Sequence, residues 1–194
     1  MENILQLDTE WFRWVNSHNA SWLDGPMWFF SQGWTWSIPI VAMFLFATLR
    51  TEPKRWWLPV VGVCLCFLFA DQISVHLCKN IFHRLRPCHA LDDVTMYRTN
   101  CAGLYGFVSS HAANAFAVVV FLVLRYAKKL KPSWPLAVVL LAWAAIVGYS
   151  RIYLGKHYPG DVICGALLGA AIGWGVWWLV GLIERKFLKK NAQK

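Results

Sequence analysis

Three short stretches of this 194-residue chain concentrate cationic, serine and histidine side chains. They are Lys79 with Arg86-Pro87, Ser109-Ser110-His111, and Ser150-Arg151 with His157 and Asp161. These residue types suit an anion that must be bound and then attacked. A phosphate monoester needs its charge neutralised as its bond breaks. Lys79, Arg86 and Arg151 supply positive charge, and arginine forks hold phosphate oxygens bidentately. Ser109 and Ser110 stand at the start of an apolar segment, where free backbone N–H groups and the positive end of a helix can point at an anion. Asp161, four residues after His157, can reach back to the imidazole and fix its tautomer. The other ring nitrogen is then free to attack phosphorus. His111 is suited to protonate the leaving oxygen and afterwards to activate water.

The elements that must position these residues belong to a membrane. The apolar fraction is 58 %, the charged fraction 15 % and the mean hydropathy +0.42. Soluble domains are roughly 45–50 % apolar and about 25 % charged, so a soluble globule and a disordered chain are both excluded. A bilayer core takes about 20 apolar residues per helix. Five segments qualify: Pro26 to Leu49, Trp56 to Cys78, Ser110 to Tyr126, Trp134 to Tyr149, and Asp161 to Ile183. Before them, Ile4 to Trp22 mixes Leu5, Trp11, Trp14 and Val15 with Asp8, Glu10 and Arg13, the pattern of a helix lying in the interface. The expected fold is all-α: one membrane domain with an interfacial helix over 1–25, a bundle over 26–184 and a basic tail over 185–194.

The net charge is +9, and thirteen tryptophans assign it to a membrane setting rather than to nucleic acid. Lys and Arg cluster at Arg50–Arg55, at Arg125–Lys131 and in the tail. The positive-inside rule puts these in the cytoplasm and the three chemical stretches on the outer face. The outer loops are basic too, which an anionic ligand would explain. Gly165, Gly169 and Gly173 lie four apart and read as a face for close helix packing. Cys88 and Cys101 fall in the outer loop and are expected to pair, stiffening the segment after Arg86 by roughly 3 kcal/mol in a chain-entropy account. The other cysteines read as apolar filler, with no zinc pattern.

The three stretches resemble the type 2 phosphatidic-acid phosphatase family, whose pattern is K-x6-R-P, P-S-G-H and S-R-x5-H-x3-D. Lys79, Arg86 and Pro87 match the first motif, and Ser150, Arg151, His157 and Asp161 match the third. The second departs, with Val108 for Pro and Ser110 for Gly, while Ser109 and His111 are kept. The resemblance covers roughly residues 56 to 184. It implies a membrane lipid phosphatase with a phosphohistidine at His157, no cofactor and no metal. The substrate would be a phosphorylated membrane lipid, with lipid A phosphate and undecaprenyl diphosphate leading, then phosphatidylglycerol phosphate or phosphatidic acid.

Two other classes compete. A transporter of anionic headgroups would use the same charges, but it has no need of a His–Asp pair beside a second His, and the sequence shows no inverted repeat. A structural membrane protein leaves the basic outer loops unexplained. His18, His76, His83 and His89 read as capping or interfacial residues, and Arg84 and Lys156 as solvated or phosphate-facing charges. Asp71, an acid inside a span, reads as structural, holding a loop arginine.

Overall fold

A computed structural model describes residues 2–33, 41, 44–45, 47–51, 53–101, 103–126, 129 and 134–192. The expected first span, Pro26 to Leu49, is not one unbroken helix: its first part belongs to a helix that ends at Ser31, where Gln32 is extended, and residues 34–40, 42–43 and 46 lie outside the described residues, as do 127–128 and 130–131 of the basic segment. The described residues form helices, with no strand longer than a single bridge. Six helices carry the architecture: α1 (Glu2–Ser17), α2 (Ser21–Ser31), α3 (Trp57–Gln72), α4 (Ser110–Tyr126), α5 (Trp134–Tyr153) and α6 (Pro159–Ala192). With its continuation, α3 is apolar over Trp57–Phe82; this stretch, α5 and α6 over Pro159–Lys186 are each long and apolar enough to cross a membrane. The protein is an integral membrane helical bundle.

Helix α4 is the axis. Its 17 residues span only about 26 Å. It is surrounded rather than lipid-facing: Ala112, Ala113, Ala115, Ala117, Val119 and Phe121 are at most 1 % exposed. The glycine face of α6 explains the close approach. A Cβ on Gly165, Gly169 or Gly173 would sit 2.6, 2.2 and 2.3 Å from the carbonyl oxygens of Ser109, Ala113 and Ala117. The spacing read from sequence is therefore the seam between α4 and α6.

Three further sequence expectations need correction. The single helix over Ile4–Trp22 is two helices. The Ser17 hydroxyl and the His18 Nδ1–H both donate to the Trp14 carbonyl, ending α1, and Ala20 is extended. His18 is thus a cap, as its type suggested. Secondly, α5 runs past Tyr149 to Tyr153, so Ser150 and Arg151 belong to its last turn. Thirdly, α3 does not end before Lys79. It continues as a wider π-helical stretch, Ile73–Lys79, a form that concentrates at functional sites.

Helix α1 lies against the bundle rather than apart from it. Phe12 and Val15 pack with Ala112, Ile152, Tyr158 and Val162. Ile4, Leu7, Trp11 and Trp14 stay exposed on its outer side, as an interfacial helix requires. Asn16 is buried and ties α1 down: its Nδ2 donates to the carbonyls of Thr95 and Tyr153, and its Oδ1 accepts from the Thr95 N–H.

Candidate active site

The chain leaves the helix at His83, which takes a left-handed conformation (φ 46°). It then runs extended, and Leu85 bridges Tyr105. The Arg86 N–H donates to the Leu104 carbonyl and the Gly106 N–H to the Arg84 carbonyl. Side chains two apart on extended backbone share a face. Arg84 and Arg86 therefore both point inward while Leu85 stays exposed. Gly106 packs tightly there: a Cβ would lie 3.0 Å from Asp161 Oδ2 and 3.3 Å from Arg86 Cγ, so a side chain would press on both by a few tenths of an ångström. Cys88 and Cys101 are joined by a disulfide that closes the following loop, as expected.

Lys79, Arg86, Ser110, His111, Arg151 and His157 line one cavity of about 370 Å³, together with Lys156, Asp71, Val75 and the α2 end at Ser31–Gly33. Segments more than 70 residues apart in sequence thus meet at one end of the bundle. Lys79, Arg151 and Arg86 each have a fixed seat. Lys79 Nζ and Ser74 Oγ, one π-helical repeat apart, both donate to Ser110 Oγ at 2.9 Å. Arg151 Nη1 is held by the hydroxyl and carbonyl of Ser31 at the end of α2. Arg86 Nη1 lies 3.3 Å from His157 Nε2.

That last contact fixes a tautomer. A guanidinium can only donate, so Nε2 must accept. The ring proton then sits on Nδ1, which is 3.5 Å from Asp161 Oδ2. Burial, then the positive charges of Arg86, Arg151 and Lys79, hold the imidazole well below its usual range. His157 is a neutral base at pH 7 with its Nε2 lone pair turned to the cavity. The Nδ1–Asp161 distance is longer than a hydrogen bond, and such contacts tighten when substrate binds. Burial also lowers the Arg86 guanidinium, and burial with Arg151 and Arg86 brings the Lys156 ammonium down to about 8.

Some sequence-predicted residues sit differently from expectation. Ser109 is fully buried and its N–H donates to the Asp161 carbonyl, so that N–H is not free for an anion. Its hydroxyl is buried without a partner. Arg84 is neither solvated nor phosphate-facing: it pairs with Asp161 and Asp8 and lies over the Tyr158 ring. Asp71 lines the cavity and holds no loop arginine among the described residues. Asp8 was missed entirely. Its only sequence signal was an acid inside an otherwise interfacial helix.

Comparison with known proteins bears on this arrangement. The sequence model of the PAP2 superfamily matches residues 56–185. A lipid A 4'-phosphatase of Bacteroides thetaiotaomicron is 32 % identical over 179 residues, 90 % of this chain and 77 % of that protein. A lipid A 4'-phosphatase of Porphyromonas gingivalis is 34 % identical over 177 residues, 89 % of this chain and 72 % of that protein. The crystal structure of a transmembrane PAP2-type phosphatidylglycerolphosphate phosphatase from Bacillus subtilis has the same fold. It superposes with a TM-score of 0.74 at 21 % identity, covering 96 % of this chain and 88 % of that one.

Proposed function

This chain belongs to the PAP2 superfamily and is a membrane lipid phosphatase, and on that premise we propose that it removes phosphate from a lipid A-type headgroup through a phosphohistidine at His157. One observation carries the reading: Lys79, Arg86, Arg151 and Lys156 share a cavity with the unprotonated Nε2 of His157. Among the described residues none of the four has a carboxylate within 4 Å. Their charge is left for a ligand.

The phosphate displaces Arg86 from Nε2, and its oxygens take the guanidinium forks and the two ammonium groups. Nε2 attacks phosphorus in line, and the bond to the leaving oxygen breaks. His111 gives that oxygen its proton. Asp161 stabilises the positive ring left on His157. Water then gives a proton to His111 and attacks phosphorus. The P–N bond breaks, its electron pair returns to Nε2, and inorganic phosphate leaves. The clustered cations do the charge neutralisation that a divalent ion does elsewhere, so no metal is assigned.

The cavity lies at the Ser110 end of α4, while Arg125 at its other end and Arg55 both meet Glu184; with the basic segments of the sequence on that other side, the positive-inside rule supports an outward-facing site. The two lipid A 4'-phosphatase relatives favour a sugar-phosphate monoester over undecaprenyl diphosphate, the alternative that the same motifs would serve. Release of inorganic phosphate by purified protein, compared as kcat/KM across lipid A, polyprenyl diphosphate, phosphatidylglycerol phosphate and phosphatidic acid, tests both points. Highest kcat/KM on lipid A is expected. Release from the others but not from lipid A would overturn the substrate reading.

A further inference from the structure

We propose that Asp8 and Arg84 are positioning residues for this reaction, and that α1 thereby sets the orientation of the attacking histidine. The inference rests on the phosphatase reading and extends it to a part of the chain outside the matched residues 56–185.

Asp161 is fully buried. Its Oδ1 accepts from Arg84 Nη1 at 2.9 Å. Its Oδ2 accepts from the Tyr158 N–H at 3.1 Å and faces His157 Nδ1. Arg84 Nη2 in turn donates to Asp8 Oδ2 at 2.7 Å. The other oxygen of Asp8 accepts from the Gly160 N–H at 2.7 Å, in the first turn of α6. The guanidinium also stacks 4.1 Å above the Tyr158 ring. Asp8, Arg84 and Asp161 therefore form one hydrogen-bonded chain that ends 3.5 Å from His157 Nδ1, and Asp8 grips both Arg84 and the helix that carries Asp161.

Each link has a physical consequence. A carboxylate buried beside a neutral imidazole needs a compensating charge to stay ionised, and Arg84 supplies it. Arg84 on one carboxylate alone could swing toward the phosphate. Held by Asp8 on its second nitrogen, it stays behind Asp161 and leaves the phosphate to Arg86. Asp8 is thus the residue that separates the two arginines' duties. Its position depends on α1, which Asn16 anchors about two turns further on.

The test uses full-length protein in detergent with p-nitrophenyl phosphate and the lipid substrate. Wild-type phosphate release comes first, since its absence would reject the phosphatase reading rather than this one. A hydrogen bond to a charged group corresponds to roughly tenfold to a hundredfold in rate. Asp8→Asn is expected to slow the phenolate burst and kcat by about tenfold, with KM within about twofold. Arg84→Ala is expected to cost about a hundredfold, and Arg84→Lys to recover part of it, since one ammonium cannot hold both carboxylates in the same geometry. In an Asp161→Asn background, Asp8→Asn should cost nothing further, because the carboxylate it acts on is gone. A purely architectural Asp8 would instead add its full cost in that background, or lower the unfolding temperature while leaving the burst rate unchanged. Either result overturns the proposal.

Discussion

The two ends of the bundle both gather arginines at helix termini, and they use them differently. At the end away from the cavity, Glu184 of α6 accepts from Arg125 of α4 at 2.6 Å and from Arg55 at 2.9 Å. The arginines there close a seam between helices. At the cavity end, Arg86 and Arg151 rest on a ring nitrogen and on Ser31, with no carboxylate within 4 Å among the described residues. The contrast recurs within three residues: among the described residues Arg84 is held by two carboxylates and Arg86 by none. A cation partnered by an acid holds the protein together. A buried cation without one costs free energy until an anion arrives, and is kept for that anion.

The sharpest break between the ends should come from the histidines, which only the cavity end has. His157→Ala should abolish turnover on lipid and on p-nitrophenyl phosphate, with no phenolate burst. His111→Ala should slow the lipid reaction by about 10²–10⁴. It should still give one burst from p-nitrophenyl phosphate, because nitrophenolate leaves without a proton, and then stall at the phosphoenzyme. A burst in His157→Ala, or none in folded His111→Ala, would reverse these assignments.

Next come the arginines themselves. Arg151→Ala should cut kcat/KM by about a hundredfold, as a lost charge-assisted contact does, and change the unfolding temperature little. Glu184→Gln should do the opposite, costing about 2 kcal/mol of stability while kcat/KM stays near wild type. Equal effects of both changes on kcat/KM would erase the distinction between the two ends.

A smaller effect should appear with pH. The Lys156 ammonium loses its proton at about 8, so its attraction for phosphate is present below that pH and lost above it. kcat/KM should therefore fall a few-fold as pH rises through about 8. Lys156→Arg should carry the limb upward, and an unmoved limb would assign it to another group. The smallest expected effect is that of exhaustive chelation, which should leave activity intact because cations rather than a metal neutralise the phosphate. A reproducible requirement for added Mg²⁺ would refute that.

Residue type and spacing were enough to read the membrane class, the three motifs, the glycine seam of α6 and the Cys88–Cys101 pair. Each is local: hydropathy averages over one helix, a four-residue repeat marks one face, and Lys79 to Arg86 or His157 to Asp161 are short chemical words. The partners of those residues could not be read the same way. Arg84 and Arg86 are one type, two positions apart, and sequence treated Arg84 as a phosphate-facing or solvated charge. The carboxylates that claim it lie 76 and 77 residues away. Ser109 looked like an anion-binding N–H until α6 packed close enough for the Asp161 carbonyl to take it. Hydropathy and motif chemistry belong to the residues, and sequence alone determined them. Which cation is paired and which is left for substrate depends on how far apart helices pack, and only the tertiary structure decided that.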